Sequence, residues 1–380
     1  MRKSAVGLIV TGVVASLIVG GCSSSKKKTT TSSAPAGGGA SSSSSGGSGG
    51  KVGVILPDTT SSTRYTLYDA PLLKKAFDAA GIQSDIQNAQ GDTAKFTSIA
   101  QSMIGEGVKV LVIDSPDAAT GAGVEQKAKQ AGVKAIDYDR VNLGGSGDYY
   151  VSFDNEGVGK LQGQTLVDCM KAKNLPKGAG IIEMDGGTDT DNNAVLFAKG
   201  YNSVLDPLYA DGTYKKLSEA VVKGWKIANA APAFTQALTA AGGKVDGVIA
   251  ANDDIANAVI TVLNPKGLKV PVTGQDAGIV GLQHILKGEQ CMTVFKDVKQ
   301  EADGAAKLAI ALIKGQDPSS AGLTLADFQD PKGNRTLKAL LLPPTAITKT
   351  NVQDVITAGA LTKAQVCKGI ESVCATAGIK

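Results

Sequence analysis

The chain has 380 residues, 42% hydrophobic, 19% charged and 4% aromatic, enough for two cores of ordinary size and too mixed for a fibrous or wholly disordered chain. Its formal charge of +4 sits at the front: Arg2, Lys3, Lys26, Lys27 and Lys28 precede any acid, and from residue 51 on thirty-four bases face thirty-five acids. A balanced body argues against a nucleic-acid partner, and a single histidine, His284, argues against His-based catalysis and His-rich metal sites, so no cofactor or metal is expected.

The first fifty residues read as an address. Arg2 and Lys3 form a basic start, Ala5 to Gly20 is an apolar run, and Val19-Gly20-Gly21 are small or apolar residues directly before Cys22. This pattern describes a secretory signal over 1–21. The run is at the short end of the roughly 17–25 residues that span a bilayer, which favours cleavage over an uncleaved anchor. The small residues before Cys22 resemble the lipobox of bacterial lipoproteins, which implies that Cys22 is acylated and becomes the mature N-terminus. From Cys22 to Gly50, Ser, Gly and Thr make up 21 of 29 residues, leaving almost nothing apolar to bury. We expect a disordered tether with a root-mean-square reach of roughly 30 Å. The chain is therefore expected to be exported and lipid-anchored on the outer face of the cytoplasmic membrane.

From residue 51, short apolar runs alternate with helical stretches. Strands are predicted at 52–56, 84–88, 108–113, 133–138 and 149–153, with helices over 67–81, 93–106 and 118–132. The pattern then restarts with helices over 155–173, 191–206, 231–242, 253–264, 277–288 and 299–314. Between them lie strands at 179–184, 217–222, 246–250, 269–273 and 291–296. The stretch 338–380 has ordinary helical texture. Continuous apolar strands separated by helices argue for parallel sheets covered on both faces. About ten strands with a reset near 155 fit an α/β chain of two doubly wound lobes joined by a hinge. The expected division is 51–152 plus 299–336 for the first lobe and 153–298 plus 337–380 for the second. An exported chain permits disulfides, and Cys367–Cys374 and Cys169–Cys291 are the candidate pairs.

Ligands of such sheets sit beyond the carboxyl ends of the strands. Those ends carry Asp114-Ser115, Asp139-Arg140, Asp154-Asn155, Asp191-Asn192-Asn193, Asn252-Asp253, Gln275-Asp276 and Lys296. Helix capping explains many of the Asp and Asn residues, Asp154 among them, but not Arg140 and Lys296 beside them. A site of mixed sign suits a neutral molecule dense in hydroxyls, each able to donate to a carboxylate and accept from Arg, Lys or Asn. Asp189-x-Asp191-x-Asn193 starts like a calcium loop, but Ala194 and Gly200 occupy its required glycine and glutamate positions. Gly186-Gly187 is ringed by Asp185, Asp189 and Asp191, which would repel a phosphate.

The segments Ala135–Arg140, Tyr149–Asn155, Thr190–Ala194, Gln275–Ala277 and Thr293–Lys296, in this order, resemble the periplasmic sugar-binding proteins of ABC importers, and among them the xylose-binding proteins most. The resemblance covers roughly residues 51 to 362. It implies a periplasmic binding protein of type I, with three hinge crossings and lobes that close on one monosaccharide. It also implies the binding set Arg64, Tyr65, Asp139, Arg140, Asp191, Asn193, Asn252, Asp253, Asp276 and Lys296, with Trp225 stacking on the apolar face of a pyranose ring. Tyr65 stands where the family has tryptophan, and Ala251 where it has serine. The expected partners are a monosaccharide, xylose first, and an ABC permease in the membrane, with the chain itself monomeric. Other pentoses, hexoses or polyols, or service as a sugar-sensing co-receptor, are the alternatives. A transcriptional regulator would need an N-terminal helix-turn-helix in place of the leader and tether. A glycosidase would need an acid kept protonated, whereas each candidate carboxylate lies beside Arg, Lys or Asn. No enzyme is expected.

Overall fold

The computed structural model describes residues 50–380. The leader, the tether and Cys22 lie outside the described residues.

Strand β1 (Lys51–Leu56) is buried along its length and stops at Pro57. A π-turn (Tyr65–Asp69) leads into α1 (Ala70–Ala79), so the helix expected from 67 starts as a wider coil. Next come β2 (Gln83–Asn88), α2 (Thr93–Gly105), β3 (Val110–Ile113), α3 (Ala118–Gln130), β4 (Lys134–Tyr138) and β5 (Tyr149–Phe153). The second series is α4 (Asn155–Ala172), β6 (Ala179–Asp185), α5 (Asn192–Ala210), β7 (Tyr214–Val221), α6 (Ala230–Ala240), β8 (Gly247–Ala250), α7 (Asp253–Leu263), α8 (Ile279–Lys287) and β9 (Thr293–Phe295). The chain closes with α9 (Val298–Ile313), β10 (Ala326–Asp330), β11 (Arg335–Leu342), β12 (Thr345–Ile347), α10 (Gln353–Thr357), α11 (Lys363–Cys367) and α12 (Glu371–Thr376).

The first sheet runs β10-β11-β5-β4-β3-β1-β2, parallel except for the β10–β11 hairpin. The second is β7-β6-β8, all parallel, with a single bridge from Val248 to Val272. β9 pairs antiparallel with β12. The chain therefore passes between the lobes three times: from β5 to α4, from β9 to α9, and from β11 to β12. Separate apolar clusters fill the two lobes, one around Ile181, Val248 and Phe234, the other around Val54, Val112 and Leu308. A further cluster seats α10, α11 and α12 on α8.

Three expectations need correction. The strand at 269–273 is reduced to the bridge at Val272, because only Val270 and Val272 there are long apolar residues and Pro271 interrupts them. The stretch 338–380 is not helical from its start, since it opens inside β11 and continues through β12. The lobe boundary at 336/337 therefore cuts a strand, and the first sheet keeps the chain to Leu342, where β11 pairs with β5. The signal was present as alternation: Leu337 and Ala339 are buried while Thr336 and Lys338 are exposed.

Helices α4 and α5 meet at two glycines. A Cβ on Gly159 would fall 2.0 Å from the Phe197 carbonyl oxygen, and one on Gly200 2.2 Å from that of Glu156. Disulfides join Cys169 of α4 to Cys291 and Cys367 of α11 to Cys374 of α12. Gly159→Ala is expected to destabilise by about 1–3 kcal/mol through backbone displacement. Gly123→Ala, on an α3 position with no atom near the added methyl, is expected to stabilise by about 0.5–1 kcal/mol through lost unfolded-state freedom. Urea unfolding midpoints of the two variants test this, and equal effects would refute the backbone contact.

Candidate functional site

The loops that follow the strands of both sheets converge on one polar cavity. Ser61, Ser62 and Tyr65 come from the segment after β1, and Asp139 and Arg140 from the end of β4. Asp191, Asn193 and Phe197 come from the start of α5, Trp225 from after β7, Asn252 from after β8, and Gln275, Asp276 and Lys296 from the loops flanking α8 and β9. Counted out to its mouth, the space is about 290 Å³. Two of these residues serve twice: Asp191 and Asn252 cap α5 and α7, accepting from the amides of Asn193 and Ile255.

Asp139 is the hub. Its backbone is left-handed, with φ 59°. One carboxylate oxygen takes the Tyr65 hydroxyl at 2.9 Å, and the other faces Arg64 Nη1 at 3.3 Å and Lys296 Nζ at 4.0 Å. Its backbone carbonyl accepts from Ser152 Oγ at 2.8 Å and from Asn193 Nδ2 of the opposite lobe at 2.9 Å. Burial would raise its pKa, but Arg64, Lys296, Arg140 and the Tyr65 hydroxyl outweigh that and hold it at about 2. Asp139 is an anion whose charge is already matched.

Arg140 spans the gap between the lobes. Its Nη2 donates to Tyr65 Oη at 3.1 Å and Ser61 Oγ at 3.2 Å, and its Nη1 to the Ser115 carbonyl. Its Nε lies 3.4 Å from Asp191 Oδ2 and 3.6 Å from Asp114 Oδ1. Burial lifts the pKa of Asp191, with Arg140 pulling the other way. Burial drives the Asp114 carboxyl well above its ordinary range. Lys296 sits 3.3 Å from Asp276 Oδ1, with its ammonium over the rings of Phe153 and Phe197 at 5.6 and 5.8 Å. Trp225 donates its indole N–H to Asp191 at 3.1 Å and meets Phe197 edge to face. A Cβ on Gly186 would fall 2.1 Å from the indole ring. The Gly186-Gly187 pair thus exists to admit Trp225. Trp225, Asp276 and Ala277 also have positive φ, strain that clusters at sites held by their surroundings.

Two predicted binding residues stand off the cavity wall. Arg64 is committed to Asp69, at 2.7 and 3.0 Å, and to Glu301 and Asp139. It positions Asp139 from behind, because a buried guanidinium is satisfied only by several acceptors at once. Asp253 accepts from Gln290 Nε2 and the Gly278 amide, both at 2.8 Å, and a Cβ on Gly274 or Gly281 would strike its carboxyl. It braces the loop that presents Asp276, and burial pushes its pKa up to about 8. The remaining predicted residues, Tyr65, Asp139, Arg140, Asp191, Asn193, Trp225, Asn252, Asp276 and Lys296, all line the cavity.

Four wall residues escaped the sequence reading: Ser61, Ser62, Phe197 and Gln275. Gln275 stands in the motif beside Asp276 and was legible there. Ser61 and Ser62 lie in a segment of small polar residues without periodicity, and Phe197 reads as a core position of α5. Glu301, which contacts Arg64 from a helix 237 residues away, has no local signal. His284 is bonded to Glu289 and Asn257 and takes no part in the cavity. Among the described residues, no cluster of three or more His, Cys, Asp or Glu is arranged to hold a metal.

The periplasmic binding protein domain matches residues 52–317 of this chain. The D-xylose-binding periplasmic protein of Escherichia coli (strain K12) is 36% identical over 290 residues, covering 76% of this chain and 84% of that protein. The multiple sugar-binding periplasmic receptor ChvE of Rhizobium radiobacter is 34% identical over 332 residues, covering 83% and 92%. A carbohydrate transporter solute-binding protein from Chloroflexus aurantiacus, solved with D-glucose, superposes with a TM-score of 0.74 at 30% identity, covering 83% of this chain and 97% of that one. Two parallel-sheet lobes, a polar cavity between them and these matches lead to one conclusion: the chain belongs to the periplasmic binding protein family.

Proposed function

We propose that this protein captures a monosaccharide, D-xylose first, between its two lobes and delivers it to the permease of an ABC importer. The observation that carries the reading is the cavity itself. Arg140 and Lys296 face Asp139, Asp191 and Asp276 with Asn193, Asn252 and Gln275 among them, so each sugar hydroxyl finds both a donor and an acceptor. The indole of Trp225 and the ring of Phe197 offer apolar faces to the C–H side of a pyranose. Xylose-binding proteins among the relatives favour a pentose. The cationic neighbours that keep Asp139 ionised make it a poor proton donor, in line with binding rather than catalysis. Export through the leader, acylation of Cys22 and action as a monomer on a Ser/Gly tether complete the proposal.

Capture follows from hinged closure. The three crossings let the lobes part, which exposes Arg140 and Tyr65 on one side and Asp191, Asn193 and Asn252 on the other. Closure around a sugar replaces water by fixed donors and acceptors in a low-dielectric space, where hydrogen bonds gain strength.

Thermal-shift titration against xylose, ribose, arabinose, glucose and inositol is expected to give a saturable rise, largest with xylose, since only native-state binding stabilises in this way. A flat response to every sugar would remove the reading. Arg140→Ala is expected to weaken xylose binding by about 2–5 kcal/mol, because it strips a charged donor and strands Asp191. Calorimetry on the folded variant decides this, and near-wild-type affinity would contradict the pocket. The site also sets a pH dependence. Asp139, depressed to about 2, contributes stability that is present above the ordinary aspartate value near 4 and lost as pH falls through 2. Asp253, raised to about 8, contributes stability that is full below the ordinary aspartate value near 4 and is lost as pH rises from there to about 8. Between about pH 5 and pH 8 the melting temperature of the wild type should therefore fall more than that of Asp253→Asn, and parallel curves would refute the assignment.

A further inference from the structure

We propose that the apolar hollow beside the polar cavity is a second subsite, which takes an aryl group carried on the glycosidic oxygen of the sugar. The inference rests on the sugar-binding reading above and extends it from free monosaccharides to aryl glycosides.

Leu67, Tyr68, Leu72, Phe295, Val298 and Leu361 line the hollow, which encloses about 930 Å³ out to its mouth. Leu67 is 55% exposed there, one of four large apolar side chains that stand exposed among the described residues. The hollow is built by both lobes: the π-turn and α1 form one side, and Ala277, Phe295 and the Gly359–Leu361 loop form the other. It is therefore complete only when the lobes approach, as the sugar cavity is.

The two spaces share Ser62, Asp276 and Lys296 as a common wall. That wall is one side chain thick. Ser62 Oγ reaches Asp276 Oδ2 across 3.4 Å, at the limit of a hydrogen bond, and Lys296 Nζ lies 3.3 Å from Asp276 Oδ1. Asp276 Oδ1 is buried and lacks a hydrogen-bond partner, and the backbone at Asp276 and Ala277 is held at positive φ. Ser62 is only partly buried, and its hydroxyl is held by two contacts at the limit of a hydrogen bond, to Asp276 and from the Arg64 amide, each at 3.4 Å. A sugar whose glycosidic oxygen passes between Ser62 and Asp276 would replace that weak contact and carry its substituent into the hollow. Apart from Thr63, Asp297 and the rim lysines, hydroxyls have little to bond to there. An aromatic ring does, because Tyr68 and Phe295 offer ring faces and edges and the exposed Lys75 and Lys299 stand at the mouth. A free monosaccharide leaves this lining to water, so an aryl substituent adds buried apolar area that the sugar alone does not.

The test is calorimetry on the full chain with xylose, methyl β-D-xylopyranoside and the α and β anomers of 4-nitrophenyl D-xylopyranoside. One nitrophenyl anomer is expected to displace xylose and to bind at least about tenfold more tightly than the methyl glycoside. Ala360→Phe, which fills the hollow, and Leu67→Arg, which charges it, should each abolish that gain and leave xylose affinity within about threefold. Xylose binding with both nitrophenyl anomers rejected would overturn the subsite and leave the hollow to a protein partner. A gain that survives both substitutions would also overturn it, by placing the ring elsewhere. If no sugar binds at all, the monosaccharide reading fails first, and that outcome is distinct from either of these.

Discussion

Burying a charge is costly unless the charge is paired, and this cleft contains Arg140 and Lys296 opposite Asp139, Asp191 and Asp276, with Arg64 directly behind them. Their pairing crosses the gap between the lobes: Arg140 to Asp191, Asn193 to the Asp139 carbonyl, Asn252 to the Ser61 carbonyl at 3.4 Å. Each lobe alone would leave part of this set uncompensated, and water must then fill the space. The closed arrangement therefore depends on complementary charge at the cleft rather than on an apolar interface there. A sugar can enter such a set without disturbing its charge balance, because its hydroxyls are neutral and each can both donate and accept.

The supporting layer explains why the wall residues stay in place. Arg64 is clamped between Asp69 and Glu301 and reaches forward to Asp139. Glu301 belongs to α9, which begins just past one of the hinge crossings. The network thus ties the hub of the site to the segment that must bend when the lobes part. In the second lobe Asp253 plays a comparable part, filling the space left by Gly274 and Gly281 and holding the loop of Gln275 and Asp276. Glycine appears at these places, as it does where Trp225 covers Gly186, because any side chain would displace a group the site needs.

Most of the polar wall was legible in the sequence because each member follows an apolar strand. The end of a buried strand is a position that periodicity reveals, and the parallel-sheet rule says that ligands gather there. Asp139, Arg140, Asn252 and Asp276 were found in that way. Ser61, Ser62 and Phe197 were not, because their places in the wall depend on the course of a loop and on which face of α5 turns toward the cleft. Arg64 and Asp253 show a different limit: motif position set them among the wall residues, whereas side-chain reach and local crowding put them one layer behind the cavity.

Alternating apolar strands and helices were enough to specify two doubly wound lobes, since a buried parallel strand needs a continuous apolar run and a helix must cover each face. The reset near residue 155 and the mixed sign of the site follow from the same linear pattern, whereas the pairing among the four cysteines was only a candidate until the fold set it. The identity of the first sheet's outer strands does not. β10 and β11 are half-polar, and the pairing of β11 with β5 closes a separation of nearly two hundred residues that no local pattern encodes. The same holds for the Arg64–Glu301 clamp and for the hollow shared by Leu67, Phe295 and Leu361. These are contacts between segments far apart in the chain, fixed only when two independently packed lobes and their crossings settle into one geometry.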